Sequence, residues 1–442
     1  MIDLQAAPTP GASGRVSSGR LRDALFNGAV EPDALSLSSC GNEADVRQAV
    51  RDAAAADTPI AVVGGGHDMW GRGFVAGNAV LDLLAMSHVH VDADAGEVTT
   101  GGGALAGDLV GALPADRAAV TGTILGVGMT GLTLAGGYGV LNGRFGLAAD
   151  NLLRARVVLA DGSVAIASES EDADLLWALK GGGSGFGVVT EMTTALHRLP
   201  RVLTGMIFVP LDHAPAAMRA AQELIDEHPF DVGLFMGFMM GPAGVPALFV
   251  APHWTGTEEA GETLFHRLAS LEGAIPVGHR WTTYRDSFDS EGEKAFPKGA
   301  HYHLLTRTLR RLDDEAVALL VDGAGRIEGT DAIIIHDFHG AAAKVSPDAT
   351  AFALREDHFV VEVIANWPAA DALGPQRRTW AERLDRELAA IALPGGYAGL
   401  LAPTETRSVR DFYGENAARL LRIKSRVDPT DLFRSGIGRL IA

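Results

Sequence analysis

Residues 59–68 constrain the fold of this chain more than any other stretch. They read PIAVVGGGHD, an apolar run that ends in three glycines and a single histidine, His67. A short apolar run bounded by glycine is typical of a buried strand. The three glycines keep side chains away from the turn and permit positive φ, so another backbone or a ligand can approach closely. Successive N–H groups exposed in such a turn can also bind phosphate.

The turn does not fit the dinucleotide-binding fingerprint of the Rossmann fold. That fingerprint requires a third glycine three residues after the second. Counted from Gly64 and Gly66, that position is Met69. Two interpretations therefore remain open at this point. The turn and His67 are either purely structural, or they form a ligand site of a kind other than the Rossmann dinucleotide site.

Composition limits the classes of protein and of partner. A length of 442 residues predicts two or three domains. The formal charge of −18 and the lack of a basic stripe predict that nucleic acid is not a partner. Cys40 is the single cysteine, so the sequence excludes an internal disulfide and a cysteine-based metal cluster, and we predict no metal site. We find no secretory signal and no apolar run of about 20 residues, and we expect a cytoplasmic protein without a membrane span.

Glycine is concentrated in the first 190 residues of the chain, which indicates a site built from loops. A second cluster of glycines occupies residues 121–139. Because each glycine costs a helix about 1 kcal/mol relative to alanine, a long helix is disfavoured there. Apolar residues interleaved among these glycines argue against a flexible linker. Loops that pass close to a flat ligand explain the pattern better.

The second half of the chain has a different pattern, and we place a domain boundary near residue 200. Predicted strands are at 231–240, 247–254, 332–338 and 359–367, and predicted helices are at 216–227, 258–271 and 380–391. Long strands with helices set apart predict an antiparallel sheet covered by helices on one face. The fold class predicted for the whole chain is α+β.

Several separate blocks, taken in order, resemble one family. They are Gly64-Gly65-Gly66-His67 and residues 126–139, 145–151, 177–190, 296–299, 413–416 and 428–433. The chain resembles the FAD-linked oxidases of the vanillyl-alcohol oxidase/p-cresol methylhydroxylase type. Within them it is similar to the berberine-bridge-enzyme branch, and most similar to the hydroxynicotine-oxidase group of that branch.

The resemblance implies a covalently bound FAD. In this family the histidine after the glycines is bonded to the 8α-methyl group of the flavin, and His67 holds that position. Many relatives add a second link through a cysteine, but the corresponding residue here is Ile124. The resemblance therefore implies a flavin with one covalent bond, and Cys40 is interpreted as an inert packing residue.

The resemblance also implies which residues surround FAD and how the domains are arranged. Val127 corresponds to a position where a small residue leaves O₂ a path to the flavin, which favours an oxidase. The implied cofactor-binding residues are Gly64, Gly65, Gly66, His67, Asp68, Gly122, Gly126, Val127, Gly128, Thr130, Gly131, Gly136, Asn151 and Val189. The resemblance implies an FAD-binding domain of two α/β lobes (31–200), a substrate domain with a large antiparallel sheet (201–403) and a C-terminal segment returning to the FAD domain (404–442). The proline-, glycine- and serine-rich opening of the chain predicts a mobile arm (1–30).

Three positions depart from the family pattern and leave the acid/base residue open. Where relatives often carry an Asn-Tyr pair, this chain has Gly399-Leu400. Relatives often have a lysine where this chain has Leu305-Thr306. The final turn that touches the flavin is rich in asparagine in the family, but it reads Ser-Gly-Ile at residues 435–437 here.

Glu362 is the leading candidate for a catalytic base. It lies in the apolar run at 359–364, where desolvation would raise the pKa of the carboxyl toward a useful value. A paired structural carboxylate is the alternative. His336 follows another apolar run, and its separation from His339 puts the two on opposite faces of a strand. Tyr138, Tyr302 and Tyr397 are candidates for an aromatic wall of the site, and Tyr138 and Tyr302 join Glu362 and His336 as the predicted catalytic residues.

The sequence thus predicts an FAD-dependent oxidase that acts on a CH–NH or CH–OH carbon of a small or medium-sized organic substrate, with O₂ as the second substrate and H₂O₂ as a product. The alternatives are an oxidative-cyclising or alcohol- or sugar-oxidising biosynthetic flavoenzyme, and a protein that retains flavin without turnover. A homodimer is possible.

Overall fold

A computed structural model describes residues 18–288, 291–402 and 409–434. Over these residues the strands are β1 (Ser36–Ser39), β2 (Ile60–Val63), β3 (Ala79–Asp82), β4 (Val89–Asp92), β5 (Glu97–Gly101), β6 (Arg117–Ala118), β7 (Leu152–Val158), β8 (Val164–Ser168), β9 (Val188–Ala195), β10 (His197–Arg198), β11 (Val202–Pro210), β12 (Val232–Met240), β13 (Pro246–Trp254), β14 (Ile275–Thr282), β15 (His301–Leu309), β16 (Ala332–Phe338) and β17 (His358–Trp367).

The helices alternate with these strands along the chain. They are α1 (Ser18–Asp23), α2 (Glu43–Ala55), α3 (Ala106–Ala112), α4 (Met129–Leu134), α5 (Asn142–Phe145), α6 (Ala173–Leu179), α7 (Ala214–Glu227), α8 (Glu258–Ala269), α9 (Tyr284–Ser287), α10 (Glu291–Ala295), α11 (Asp314–Ala324), α12 (Ala341–Lys344), α13 (Gly374–Ala389), α14 (Val409–Tyr413) and α15 (Ala417–Val427), with short 3-10 turns at Ala398–Leu400 and Gly414–Asn416. No helix among the described residues is both long and apolar enough to cross a bilayer.

The first half of the chain forms two main sheets. A parallel sheet has the order β1-β3-β2, and an antiparallel sheet has the order β4-β5-β9-β7-β8. Asn42 caps α2, since its side chain accepts a hydrogen bond from the Asp45 N–H at 3.1 Å. A tight turn with the sequence Asp161-Gly162 joins β7 to β8, and Gly162 adopts φ +76°, which glycine tolerates without steric cost.

The second half of the chain forms a large antiparallel sheet with the order β14-β11-β13-β12-β16-β17-β15. Its residues alternate between the two faces. On one face Ile333, Ile335 and Val361 pack in the same core as α7, α8, α11 and α13. Ile334 and Ile364 lie on the opposite face and line a cavity. The predicted α+β class, with a sheet covered by helices on one side, is confirmed.

The C-terminal segment packs on the first half of the chain. Leu420 and Ile423 of α15 share a hydrophobic core with Leu175 and Trp177 of α6. The Leu432 carbonyl then accepts a hydrogen bond of 2.7 Å from the backbone N–H of Ile60, at the start of β2. This contact fixes the strand that leads into the glycine turn.

The prediction of a mobile arm over residues 1–30 is wrong for its last third. Residues 1–17 lie outside the described part of the chain. From Leu21 onward, however, Leu21, Leu25 and Phe26 are buried, and the first two pack in a core with Ala61 and Val63. These apolar side chains are the physical reason that this segment is packed.

Candidate functional site

A cavity of about 530 Å³ separates the glycine turn from the large sheet. Its size falls within the range of about 300–1,000 Å³ that is usual for small-molecule sites. One wall consists of residues 62–69 with residues 122–135, and the other consists of side chains from β15, β16 and β17. Residues 397–402 and Phe26 close the sides.

The glycine wall is formed by two loops whose backbones touch. A Cβ atom on Gly65 would lie 2.4 Å from the amide nitrogen of Gly128, and one on Gly128 would lie 2.5 Å from the amide nitrogen of Gly65. Gly66 has φ +70°, and a Cβ there would lie 2.1 Å from the Ala24 carbonyl oxygen. These glycines therefore permit close contact between loops, as well as leaving room for a ligand.

Residues 64–68 offer a row of hydrogen-bond donors. Among the described residues, the backbone N–H groups of Gly64, Gly65, Gly66, His67 and Asp68 have no acceptor. A row of such N–H groups around a turn binds anions, phosphate in particular. The donor set thus fits a pyrophosphate.

His67 is largely buried at the end of this row. Its ring stacks on Phe26 with a centroid distance of 4.0 Å. A Cβ on Gly126 would lie 3.0 Å from the His67 Nε2 atom, so a side chain at that position would press on the imidazole. Burial, and secondarily the charge of Lys298, lowers the pKa of His67 to about 4. The imidazole is therefore neutral at pH 7 and has a nitrogen lone pair available.

The sheet wall carries a histidine–carboxylate pair. His336 Nε2 lies 3.2 Å from Glu362 Oε1, and both side chains are about 15% exposed. In the β16–β17 register Ile334 is opposite Glu362 and Val360 is opposite His336. The pair is therefore diagonal on one face, a separation that long side chains can bridge. His339 has a different environment, because its Nε2 is 2.9 Å from the Val232 carbonyl oxygen in the core.

The three predicted wall tyrosines all line the cavity, but the hydroxyl groups of two of them are engaged elsewhere. Tyr302 donates to the Pro297 carbonyl at 2.7 Å. The Tyr138 hydroxyl is 2.7 Å from His358 Nε2. Burial raises the pKa of Tyr138 well above its ordinary value, so its hydroxyl stays protonated. Tyr138 and Tyr302, predicted to be catalytic, thus shape the cavity and do not present a free base.

Arg72 connects the glycine turn to the segment at residues 397–402, through a salt bridge to Asp68 and a hydrogen bond to a backbone carbonyl. Arg72 Nε donates to Asp68 Oδ2 at 3.0 Å, and Arg72 Nη2 donates to the Gly399 carbonyl at 2.8 Å. This holds Leu400 at the cavity. Sequence reasoning missed Arg72, since nothing local marks a residue that bridges to a segment more than 300 positions away.

Several predicted residues lie elsewhere. Leu305, predicted at the lysine position, lies on the face of β15 opposite to the cavity, while Leu304 lines the cavity. Asn151 is buried, and its amide donates to the Phe145 and Leu147 carbonyls, so it holds a turn and does not face the cavity. Gly136 packs against Phe352, since a Cβ there would meet that ring at 2.9 Å.

Of the remaining cofactor predictions, Val189 is buried in a sheet core and does not line the cavity. Thr130 is buried on α4, and its Oγ1 has no partner among the described residues. Gly122, Val127, Gly128 and Gly131 line the cavity, as do Gly64, Gly65, Gly66, His67 and Asp68. The turn at 435–437 lies outside the described residues.

The predicted packing role of Cys40 agrees with its surroundings. It is buried in the core formed by α2, β2 and β3. Burial, with the charges of Asp45 and Asp82, raises the pKa of its thiol to about 12, so a reactive thiolate is disfavoured. Ile124 lines the cavity at the position of the second flavin link in relatives. Across the described residues no cluster of metal-binding side chains is present.

Comparison with known proteins places these features in context. Residues 36–168 match a family described as an FAD binding domain, and residues 396–437 match one described as berberine and berberine like. The chain is 42% identical to (R)-6-hydroxynicotine oxidase of Paenarthrobacter nicotinovorans over 173 residues, which are 39% of this chain and 38% of that protein. It is 28% identical to glucooligosaccharide oxidase of Sarocladium strictum over 92% of this chain and 87% of that protein.

A solved structure has the same fold. 6-Hydroxy-D-nicotine oxidase from Arthrobacter nicotinovorans superposes with a TM-score of 0.85 and 25% sequence identity, covering 95% of each chain. The residues around the cavity fit the FAD that these matches imply. The unpaired N–H groups suit its pyrophosphate, and the neutral imidazole of His67 borders the same cavity.

Proposed function

We propose that this chain, which belongs to the FAD-linked oxidoreductases with a berberine-like C-terminal segment, is an oxidase of small or medium-sized organic substrates. It would remove hydride from a carbon beside nitrogen or oxygen and pass the electrons to O₂, giving H₂O₂. When bound, FAD supplies the hydride acceptor. The observation that carries the proposal is a single cavity with the His67 turn on one wall and the His336–Glu362 pair on the other.

His67 is proposed as the only covalent attachment point of FAD. Its imidazole is neutral and has no hydrogen-bond partner among the described residues, so a nitrogen is free to bond to carbon. Ile124 cannot form a second link. The backbone N–H groups of Gly64, Gly65 and Gly66 would hold the pyrophosphate.

Glu362 is proposed to accept the proton from the substrate N–H or O–H while hydride leaves the neighbouring carbon. A general base must lie within hydrogen-bond reach of that proton, and Glu362 is the carboxylate on the sheet wall of the cavity. His336, at 3.2 Å, holds the carboxylate in place. This pair takes the role that the tyrosine, replaced by Leu400, has in many relatives.

The cavity favours a largely apolar substrate over an oligosaccharide. Asp68 and Arg72 pair with each other, and the hydroxyl groups of Tyr138 and Tyr302 have partners of their own. Much of the remaining lining on the sheet side is apolar, namely Phe235, Leu304, Ile334, Val360, Ile364 and Leu400. A sugar would bring many hydroxyl groups to this surface, and each one left without a partner lowers affinity.

Anaerobic titration tests this proposal. The flavin-containing protein is mixed with a panel of apolar amines, apolar secondary alcohols and oligosaccharides, and bleaching of the flavin absorbance is followed. We expect bleaching by an apolar amine or alcohol, and one H₂O₂ per turnover once O₂ is admitted. Bleaching by oligosaccharides alone would contradict the apolar substrate. Absence of bleaching by every compound would favour the protein that retains flavin without turnover.

A further inference from the structure

The segment of residues 24–28 lies directly against the His67 turn. The Phe26 backbone N–H donates to the Gly66 carbonyl at 3.0 Å, and the Phe26 carbonyl accepts from the Gly299 N–H at 2.8 Å. This segment precedes residues 36–168, the part that matches the FAD binding domain. The wall behind His67 is therefore supplied from outside the matched domain.

The Asn27 side chain fixes this segment. Its Nδ2 donates to the Met69 carbonyl at 2.6 Å and to the Tyr302 carbonyl at 3.0 Å. Its Oδ1 accepts from the Tyr302 backbone N–H at 2.9 Å. Asn27 is 2% exposed, so these bonds are shielded from water. Together they tie the segment to both walls of the cavity and hold the neighbouring Phe26 in place.

Packing alone sets the orientation of the His67 ring. Within the described residues, its nitrogens form no hydrogen bond that could fix the ring. Phe26 stacks on it at 4.0 Å with an interplanar angle of 29°, and Phe26 is itself only 5% exposed. Tyr302 supports Phe26 from behind, with a centroid distance of 5.3 Å. Phe26 is thus held rigidly between Tyr302 and the imidazole.

We propose that Phe26 is a positioning residue for the covalent attachment of FAD, because its ring holds the His67 imidazole with one nitrogen directed into the cavity. This inference rests on the proposed tether at His67. Attachment joins an imidazole nitrogen to the 8α carbon of the flavin. One C–H and one N–H bond break, and the two hydrogens with their electrons reduce the flavin, which O₂ then reoxidises with release of H₂O₂.

The test is the rate of covalent attachment. Full-length protein produced under riboflavin limitation is mixed with FAD in air, samples are precipitated with acid, and the flavin in the pellet is measured against time. For Phe26→Ala we expect attachment to be about two- to tenfold slower, the range that loss of one aromatic stack gives. Phe26→Tyr, which keeps the ring, should attach FAD at the wild-type rate.

Two comparisons separate positioning from a general loss of stability. Phe265 is also buried and stacks on a histidine, His279, at 4.1 Å, on the helix-covered side of the large sheet. Phe265→Ala is therefore the matched control, and it should leave the attachment rate unchanged. If Phe26→Ala does not retain FAD, the attachment rate of Phe26→Leu tests the inference instead. Leucine fills the space without an aromatic face, so this variant should still attach FAD slowly.

The outcomes distinguish this inference from the proposed function. Wild-type attachment rates in Phe26→Ala, or in Phe26→Leu where the alanine variant retains no FAD, would overturn the positioning role and leave the tether intact. Absence of covalent flavin in the wild-type protein would overturn the tether itself. Slow attachment in Phe26→Ala, with normal non-covalent FAD content and rescue by Phe26→Tyr, would support the inference.

Discussion

The two walls of the cavity are built from different parts of the polypeptide. The wall at residues 62–69 and 122–135 presents backbone N–H groups and glycines, and its loops touch where Gly65 meets Gly128. The sheet wall presents side chains, and its polar centre is the His336–Glu362 pair. A backbone wall offers the same N–H donors whatever the neighbouring side chains are, which suits a fixed cofactor. A side-chain wall can be changed residue by residue to suit a substrate.

The comparison predicts that changes in the two walls affect different properties. A defect in the glycine wall should reduce the FAD content of the protein. A defect in the sheet wall should leave the FAD content intact and reduce the rate at which substrate reduces the flavin. A variant of one wall that reduced the FAD content and the rate of flavin reduction equally would contradict this division of roles between the walls.

The largest effect on FAD content is expected for Gly65→Ala. The added Cβ would lie 2.4 Å from the Gly128 amide nitrogen, and backbone atoms cannot move aside as a flexible side chain can. We expect the flavin-to-protein absorbance ratio to fall at least about tenfold, as overpacking of this kind allows. Gly111→Ala is the matched control, because nothing lies within 4 Å of its Cβ position. Wild-type flavin content in Gly65→Ala would contradict a touching-loop wall.

Glu362→Gln should have the largest effect on the rate at which substrate reduces the flavin. The amide keeps the shape of the side chain but cannot accept the substrate proton, so flavin reduction in stopped flow should slow by about a hundredfold or more. The FAD content should not change. Glu382→Gln is a suitable control, since Glu382 also faces a histidine, His303, at 3.7 Å but outside the cavity. An unchanged rate in Glu362→Gln would remove Glu362 as the base.

A smaller effect is expected at His358, which lies at the start of β17 and contacts the hydroxyl group of Tyr138. Burial lowers the pKa of His358 to about 4, below its ordinary value of about 6.5. Because the unfolded chain binds a proton in that interval and the folded chain does not, stability should fall as pH decreases from about 6.5 to 4. Between pH 7 and pH 5 this loss should be about 2 kcal/mol, and His358→Gln should remove it. Urea unfolding at pH 7 and pH 5 measures it, and identical pH dependence in both proteins would contradict the assignment.

The glycine wall could be predicted from sequence because its features are local. The run Gly64-Gly65-Gly66-His67 is sufficient by itself to predict a turn. The antiparallel sheet covered by helices could likewise be predicted from the apolar pattern of single strands such as β16 and β17. The contact between Gly65 and Gly128 could not be predicted, because it joins loops that are more than 60 residues apart. Asn151 shows a different limit, since its amide donates to the nearby Phe145 and Leu147 carbonyls in a local turn, a use that the resemblance did not indicate.

The sheet wall was harder to predict, since it depends on register between strands. Glu362 and His336 were each candidates, but only the pairing of β16 with β17 shows that they meet. Phe26 was assigned to a mobile arm because the opening of the chain is rich in proline, glycine and serine. Its burial against His67 comes from contacts with a turn 40 positions later, which no local pattern reveals.

The covalent bond at His67 is the central claim, and denaturation tests it most directly. Purified wild-type protein and His67→Ala are precipitated with acid, washed, redissolved in denaturant and measured for flavin absorbance and intact mass. We predict that the wild-type chain keeps its flavin and gains the mass of one FAD, and that His67→Ala releases all of its flavin into the supernatant. A colourless wild-type pellet, or covalent flavin in His67→Ala, would contradict the account.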